Sequence, residues 1–327
     1  MRARAIQIVA GLVCTLFFLA LALYRVPLRD VGSTLAGANP RWIAAAMAVY
    51  TGNLLLRARR WQLILGPIAQ IPYPTVVKAL VVGYGLNTVM PARLGELFRA
   101  EFLNTQVGVS RVGALTSIVV ERLFDGLTVV ACLGAGLLLA AANKQNAAAL
   151  IDVLLTGGAL FGAILLLALC LTTPIVSRIL ARSSRWHWQL TMVRQGFSIL
   201  RTRRTLGIVA LTVLIYLPDT LTLWLTVKAL GLGLGVADAL VLLGAAGLST
   251  LLPSGPAFLG ALQFAYALAI EFAGGPRAIG IAAATLVQLG LLLPVAVVGV
   301  GILAHGSGSV LYAALTRRVS KVTSVGR

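Results

Sequence analysis

A seven-residue pattern occurs twice in this chain, as Gly85-Leu86-Asn87-Thr88-Val89-Met90-Pro91 and as Gly247-Leu248-Ser249-Thr250-Leu251-Leu252-Pro253, 162 positions apart in 327 residues. The flanking segments match at the same offset, which points to a duplicated unit. Each copy interrupts a long apolar segment with small polar residues, glycines and a proline. Paired interruptions at matching places in two halves are the sequence mark of a binding site in transporters built from internal repeats.

The environment follows from composition. Hydrophobic residues make up 59% and charged residues 11%, too little polar surface to solvate a water-soluble domain. The net charge of +18 does not imply nucleic acid, because the basic residues fall in short runs between apolar spans, where anionic lipid and insertion topology account for them. Cys14, Cys132 and Cys170 each lie in an apolar stretch without paired spacing, so they are expected to be packing residues. His187 and His305 stand apart, and no Cys/His/Asp cluster has ligand spacing; neither a metal nor a cofactor is expected.

Uncharged stretches long enough to cross about 30 Å of hydrocarbon, a distance of about 20 helical residues, are Ala5–Tyr24, Val153–Val176 and Ala278–Ala304. The first is longer than a secretory h-region and is expected to be an uncleaved anchor, although Arg2 and Arg4 precede it. Three further spans carry charge: Arg41–Leu65, whose Arg57, Arg59 and Arg60 can snorkel at its end; Val112–Ala142, with Glu121, Arg122 and Asp125; and Thr205–Val227, with Asp219.

The interrupted segments Thr75–Leu103 and Ala237–Phe272 decide the topology. If both cross the membrane once, the loop holding Arg178, Arg182, Arg185, Arg194, Arg201, Arg203 and Arg204, with no acid, is exported, against the positive-inside rule. If both are re-entrant hairpins, those seven arginines stay inside with Arg2, Arg4, Arg57, Arg59, Arg60, Arg317, Arg318, Lys321 and Arg327, and the outer loops are nearly charge-balanced. The expected fold is therefore an all-α polytopic membrane protein: six full transmembrane helices plus two re-entrant helical hairpins arranged as an inverted repeat. Residues 1–304 form one membrane domain, with repeats over about 41–142 and 205–304, and residues 305–327 form a basic tail; both termini lie in the cytoplasm. The stretch from Ser177 to Arg204 reads equally as an interfacial amphipathic helix or as a plain basic loop.

A hairpin that stops inside hydrocarbon leaves backbone groups unpaired, so its tip must be buried in protein or line an aqueous cavity. Two opposed tips imply one central cavity. Asn87 and Thr88 can satisfy freed backbone groups, and Pro91 suits the first turn of a descending half-helix. Arg93 sits in that turn, an arrangement suited to an anionic group such as a lipid phosphate, with Glu96 and Arg99 following on roughly the same face. A purely structural ladder of Arg93, Glu96 and Arg99 is the competing interpretation. Glu121 and Asp125 lie one turn apart and need a cation, for which Arg93 and Arg99 are candidates; otherwise they are hydrated at the cytoplasmic end. Asp219, beside Pro218, is either a relay or the partner of an arginine in the first hairpin. Ser249, Thr250, Pro253 and Ser254 offer hydroxyls and a kinked backbone but no charge. Neither a Gly-x-Ser-x-Gly elbow nor a Walker loop is present, so nothing argues for hydrolysis or nucleotide use.

Asn87 with Pro91-Ala92-Arg93-Leu94-Gly95-Glu96 and Arg99, then Glu121-Arg122-Leu123-Phe124-Asp125, then Pro253-Ser254-Gly255-Pro256 with Gly260, resemble motifs of the lysylphosphatidylglycerol synthase transmembrane-domain family, also called flippase-like proteins. The resemblance covers roughly Ala5 to Ala304. It implies a lipid-handling membrane protein, with relatives that move aminoacylated phosphatidylglycerol between leaflets or serve hopanoid, glycolipid or polyprenyl-linked sugar pathways. The synthase relatives carry a large soluble transferase domain, whereas about 23 residues follow Ala304 here, so synthase activity is not expected. Where the family's second motif has a titratable glutamate, this chain has Gln263. The leading expectation is a translocase of the cytoplasmic membrane that binds an anionic, phosphate-bearing lipid headgroup. A membrane-embedded transferase, or a non-catalytic partner of a lipid-modifying enzyme, is the alternative, and a homodimer is compatible with either.

Overall fold

In a medium without water every backbone N–H and C=O must find a partner within its own segment, which leaves helices as the economical solution for apolar runs like these. The computed structural model describes residues 2–90, 94–140, 148–171, 187–250 and 255–306, and is all-helical among them. The order is α1 (Arg2–Leu23), α2 (Leu28–Ala36), α3 (Pro40–Leu65), α4 (Tyr73–Val89), α5 (Leu94–Val107), α6 (Arg111–Ala140), α7 (Ala148–Leu171), α8 (His187–Phe197), α9 (Arg204–Ala229), α10 (Val236–Ser249), α11 (Ala261–Phe272), α12 (Arg277–Leu286) and α13 (Leu293–Gly306). A π-helical segment, Val287–Leu292, joins the last two into one rod.

Four stretches among the described residues are long and apolar enough to cross a membrane: Arg111–Ala140, Leu150–Ala168, Arg204–Ala229 and Arg277–His305. Their outward faces carry Leu138, Leu155, Leu217 and Val297 in the open, as hydrocarbon-facing surfaces do. This is a multi-pass helical membrane protein. α1 and α3, at 22 and 26 residues, have the length of a span, but α3 carries Arg41, Arg57, Arg59 and Arg60. The segment expected to be either amphipathic helix or basic loop contains α8, whose Gln195 Nε2 donates to the Pro67 carbonyl at 2.6 Å; residues 177–186 lie outside the described residues.

Packing repeats itself at the offset seen in the sequence. α3 and α9 run antiparallel along their whole length: Lys228 is sandwiched by Trp42 and Trp224 at one end, Arg60 Nη1 donates to Thr212 Oγ1 at 3.2 Å further along, and Gly66 meets Arg204 at the other end. Near the middle Arg57 pairs with Asp219, a residue with its own counterpart 162 positions on. Gly85 of α4 lies against Val295 and Gly299 of α13, while Gly247 of α10 lies against Val129 of α6. The two contacts interchange under shifts of 162 for the first partner and 166 for the second, the latter being the displacement from Arg111 to Arg277. α4 and α10 thus each pack on the long helix of the opposite half. Between the two shifts, Pro-Ala-Xaa-Leu-Gly at 91–95 recurs at 256–260.

The short helices form two hairpins. α4 and α5 approach so closely that a Cβ on Gly95 would fall 2.0 Å from the Gly83 carbonyl oxygen, and one on Gly83 would fall 2.1 Å from Arg99 Cγ. Gly95→Ala is expected to force the pair apart, lowering the unfolding temperature in detergent by an amount corresponding to about 1–3 kcal/mol; an unchanged transition would contradict this packing. The second hairpin is tied through its non-helical turn. Gly255 N donates to Thr15 Oγ1 of α1 at 2.7 Å, Gly260 N to Gln263 Oε1 at 2.8 Å, and Gln288 Nε2 to the Ala257 carbonyl at 3.0 Å. Gly260 has φ +84°, and a Cβ there would meet the Thr15 carbonyl oxygen at 2.5 Å, so glycine serves both the turn and the contact.

Candidate functional site

Charge placed in an apolar bundle has to be neutralised where it sits, and four helices do this jointly. From α3 come Arg57 and Arg60, from α5 Glu96 and Arg99, from α6 Glu121, Arg122 and Asp125, and from α9 Asp219. Arg99 Nη2 donates to Glu121 Oε2 at 2.8 Å, and its guanidinium lies 3.8 Å over the Trp61 ring. Arg60 Nη2 donates to Asp125 Oδ1 at 2.7 Å and stands 3.7 Å from Glu121 Oε1. Arg122 Nε donates to Glu96 Oε1 at 2.9 Å, with Nη1 3.6 Å from Asp125 Oδ2. Asp219 takes Arg57 on one oxygen and Asn53 Nδ2, at 2.6 Å, on the other. Four guanidiniums meet four carboxylates, so this network is neutral as it stands.

Its inner and outer parts differ. The side chains of Arg60, Arg99 and Glu121 are fully buried, whereas Arg122 and Glu96 retain 29% and 22% of their side-chain exposure. That exposure opens onto a cavity of about 260 Å³. Its polar wall holds Arg57, Tyr84, Asn87, Thr88, Glu96, Arg122, Asp125, Tyr216 and Asp219; its apolar wall holds Val129, Phe161, Leu243, Phe258, Leu262, Leu291 and Val295, among others.

The residues singled out from the sequence are thus distributed unevenly. Asn87, Thr88, Glu96, Arg122, Asp125, Asp219 and Thr250 line the cavity. Arg99 and Glu121 lie behind the wall as a buried pair. Ser249 is buried, donating to the Ala246 carbonyl at 2.8 Å, and Gln263 holds the turn of the second hairpin, with Nε2 donating to Gln288 Oε1 at 2.6 Å. Pro91, Arg93, Pro253 and Ser254 lie outside the described residues. Glu121 is completely buried, and Asp125 is buried but for its edge on the cavity; arginines, Arg99 and Arg60, hold them. Asp219 is partnered by Arg57 of α3 rather than by an arginine of the first hairpin.

The sequence alone singles out neither Arg57 nor Arg60 as a site residue. At the end of an apolar span they read as snorkelling cations, but only Arg59 is exposed there. One signal was available: Arg57 and Asp219 are separated by the repeat offset, so residues at equivalent places in the two halves carry opposite charge. Among the described residues no group of three or more His, Cys, Asp or Glu could hold a metal ion.

Helices of this length around a neutral ion-pair network, with an internally repeated packing scheme, define a polytopic membrane protein with an amphiphilic cavity. The chain belongs to the lysylphosphatidylglycerol synthase TM region family, whose sequence model matches residues 8–299. It is also 32% identical over 132 residues to Glycosyltransferase AglD of Haloferax volcanii, an alignment covering 40% of this chain and 21% of that protein. The chain therefore matches about a fifth of that relative's length.

Proposed function

We propose that this protein is a lipid translocase of the cytoplasmic membrane, in which α4–α5 and α10–α11 are re-entrant hairpins entering from opposite faces. The supporting geometry is length: these helices have 17, 14, 14 and 12 residues, roughly 18–26 Å at about 1.5 Å per residue, short of a hydrocarbon core of about 30 Å. α1, α3, α6, α7, α9 and the α12–α13 rod are then the six full spans. The repeats are inverted, and the arginine-rich stretch before α9 stays with both termini in the cytoplasm.

The observation that carries the function is Arg122, a guanidinium within the long apolar helix α6, held by Glu96 on one edge and partly open to the cavity. A guanidinium fork matches phosphate, and an intramembrane charge facing a cavity marks a substrate path. The described wall carries two guanidiniums, Arg57 and Arg122, against three carboxylates, Glu96, Asp125 and Asp219. A phosphate therefore binds by drawing Arg122 away from Glu96, which leaves a carboxylate for a cation. A headgroup with both a phosphate and an amine suits this wall better than a bare phosphate, in keeping with the aminoacylated lipid in the family's name.

The test is leaflet-resolved flipping of acyl-labelled phosphatidylethanolamine and phosphatidic acid in vesicles of phosphatidylethanolamine and phosphatidylglycerol. The wild type is expected to flip the amine-bearing lipid faster, and Arg122→Gln, if folded, at least tenfold more slowly. A folded Arg122→Gln protein with the wild-type rate would refute the headgroup role. The alignment to a protein named as a glycosyltransferase supports a second reading, a membrane-embedded transferase. Recovery of covalently altered lipid from the same vesicles would favour it over translocation.

A further inference from the structure

The hairpin and the long helix after it in each repeat, α4–α6 and α10–α13, present equivalent backbone positions to one cavity but differ in polarity, while α9 of the second repeat adds the polar Tyr216 and Asp219. Thr88 and Thr250, and Val129 and Val295, correspond under the repeat shifts, and all four line it, so the correspondence holds at the wall itself. At four other positions of these segments the second repeat is the less polar. Tyr84 of the first repeat becomes Ala246 in the second, and Asp125 becomes Leu291, all on the wall. The counterpart of Arg122 is Gln288, which turns to the hairpin backbone instead, and Glu121 is replaced by Val287, a wall residue.

From this asymmetry we infer that the second-repeat wall, centred on Leu262 and Leu291 beside Phe258, is a subsite for the first part of an acyl chain. The chain belongs to the same lipid whose phosphate faces Arg122; this rests on the headgroup reading above. The reason is that the two walls belong to one cavity. A headgroup alone would leave water against leucine, valine and phenylalanine, where an ordered water finds no polar partners. A bare hydrocarbon would desolvate the exposed edges of Glu96 and Arg122 with nothing but each other and Asp125 in return. One amphiphile satisfies both walls, each methylene adding burial on the second. Because the walls are not interchangeable, it binds in a single orientation, headgroup toward the first repeat, although the surrounding helices are arranged with near two-fold regularity. The proximal chain then enters the protein with its headgroup rather than staying wholly in the bilayer.

Two photoreactive phosphatidylethanolamines test this with the unmodified full-length protein in vesicles of phosphatidylethanolamine and phosphatidylglycerol. One carries a diazirine near the carboxyl end of the acyl chain, the other on the amine. After irradiation, labelled residues are mapped by mass spectrometry. The chain probe is expected to label residues 258–262 and 287–292 several-fold more than the outward Leu155, and the amine probe to label 84–96 or 122–125. If the amine probe labels the cavity while the chain probe labels only outward residues such as Leu138 and Leu155, the subsite is refuted and the headgroup site survives. If neither probe reaches the cavity, the headgroup reading falls and the subsite with it.

Discussion

Replacing Glu121 with alanine is expected to cost about 3–5 kcal/mol, the loss typical of removing one partner from a buried ion pair. Glu121 is the acceptor for Arg99 at 2.8 Å and stands 3.7 Å from Arg60, and none of the three side chains has exposed surface. Without it the Arg99 guanidinium is left facing Trp61 and Tyr84, with neither water nor carboxylate to compensate it. Against a total stability of about 5–15 kcal/mol, such a loss takes about a fifth or more of the folding margin and lowers the unfolding temperature markedly. Size-exclusion profiles and thermal unfolding in detergent read it out. Glu121→Gln keeps an acceptor oxygen and is expected to lose less. The double variant Arg99→Met with Glu121→Met removes both charges together and is expected to recover most of the folded yield, since an apolar pair of similar volume can replace a buried ion pair. If Glu121→Ala unfolds at the wild-type temperature, these charges do not hold α5 to α6.

The second large effect falls on the contact between the repeats. Arg57→Asp sets a new carboxylate against Asp219 in a site where the native side chains keep 14% and 13% exposure, and is expected to cost about 3 kcal/mol or more. Asp219→Arg is expected to do the same with two guanidiniums. Because the two positions are equivalent in the duplicated unit and face each other, combining the substitutions exchanges the charges without removing the pair. The double reversal is expected to restore folding, and each single variant to fail, by the same detergent measurements. A double variant no better than the singles would show that Arg57 and Asp219 are not interchangeable partners across α3 and α9.

Much of this architecture was legible in the sequence because membrane folding has one dominant rule, that apolar runs become helices. The duplicated Gly-Leu-Xaa-Thr-Xaa-Xaa-Pro pattern located both hairpins, and Glu121 with Asp125 marked a polar face on α6. What was not legible is depth and direction. The three-residue spacing of Glu96 and Arg99 on α5 predicts one face, yet Glu96 reaches Arg122 at the cavity while Arg99 turns behind the wall to Glu121. The sequence also offers two roles for an arginine at the end of an apolar run, snorkelling outward or pairing inward. Arg57 and Arg60 take the second because α9 and α6 bring carboxylates to them from 162 and 65 residues away. The tyrosines Tyr50, Tyr84, Tyr216 and Tyr266 converge on the cavity from four helices with no shared motif, so only the packing identifies them as a group.

Whether the two hairpins turn back to the face they entered from is settled by side-specific labelling of single cysteines. Gln70 and Gln106 flank the first hairpin, Gly233 and Pro276 flank the second, and all four are exposed. In a background with Cys14, Cys132 and Cys170 replaced by serine, an impermeant maleimide is applied to intact cells and to lysed cells. Re-entrant hairpins from opposite faces require cysteines at 70 and 106 to react only after lysis, and those at 233 and 276 to react in intact cells. Labelling of 70 and 106 from opposite sides would mean that α4 and α5 together cross the membrane, and a cavity between two opposed re-entrant hairpins would no longer stand.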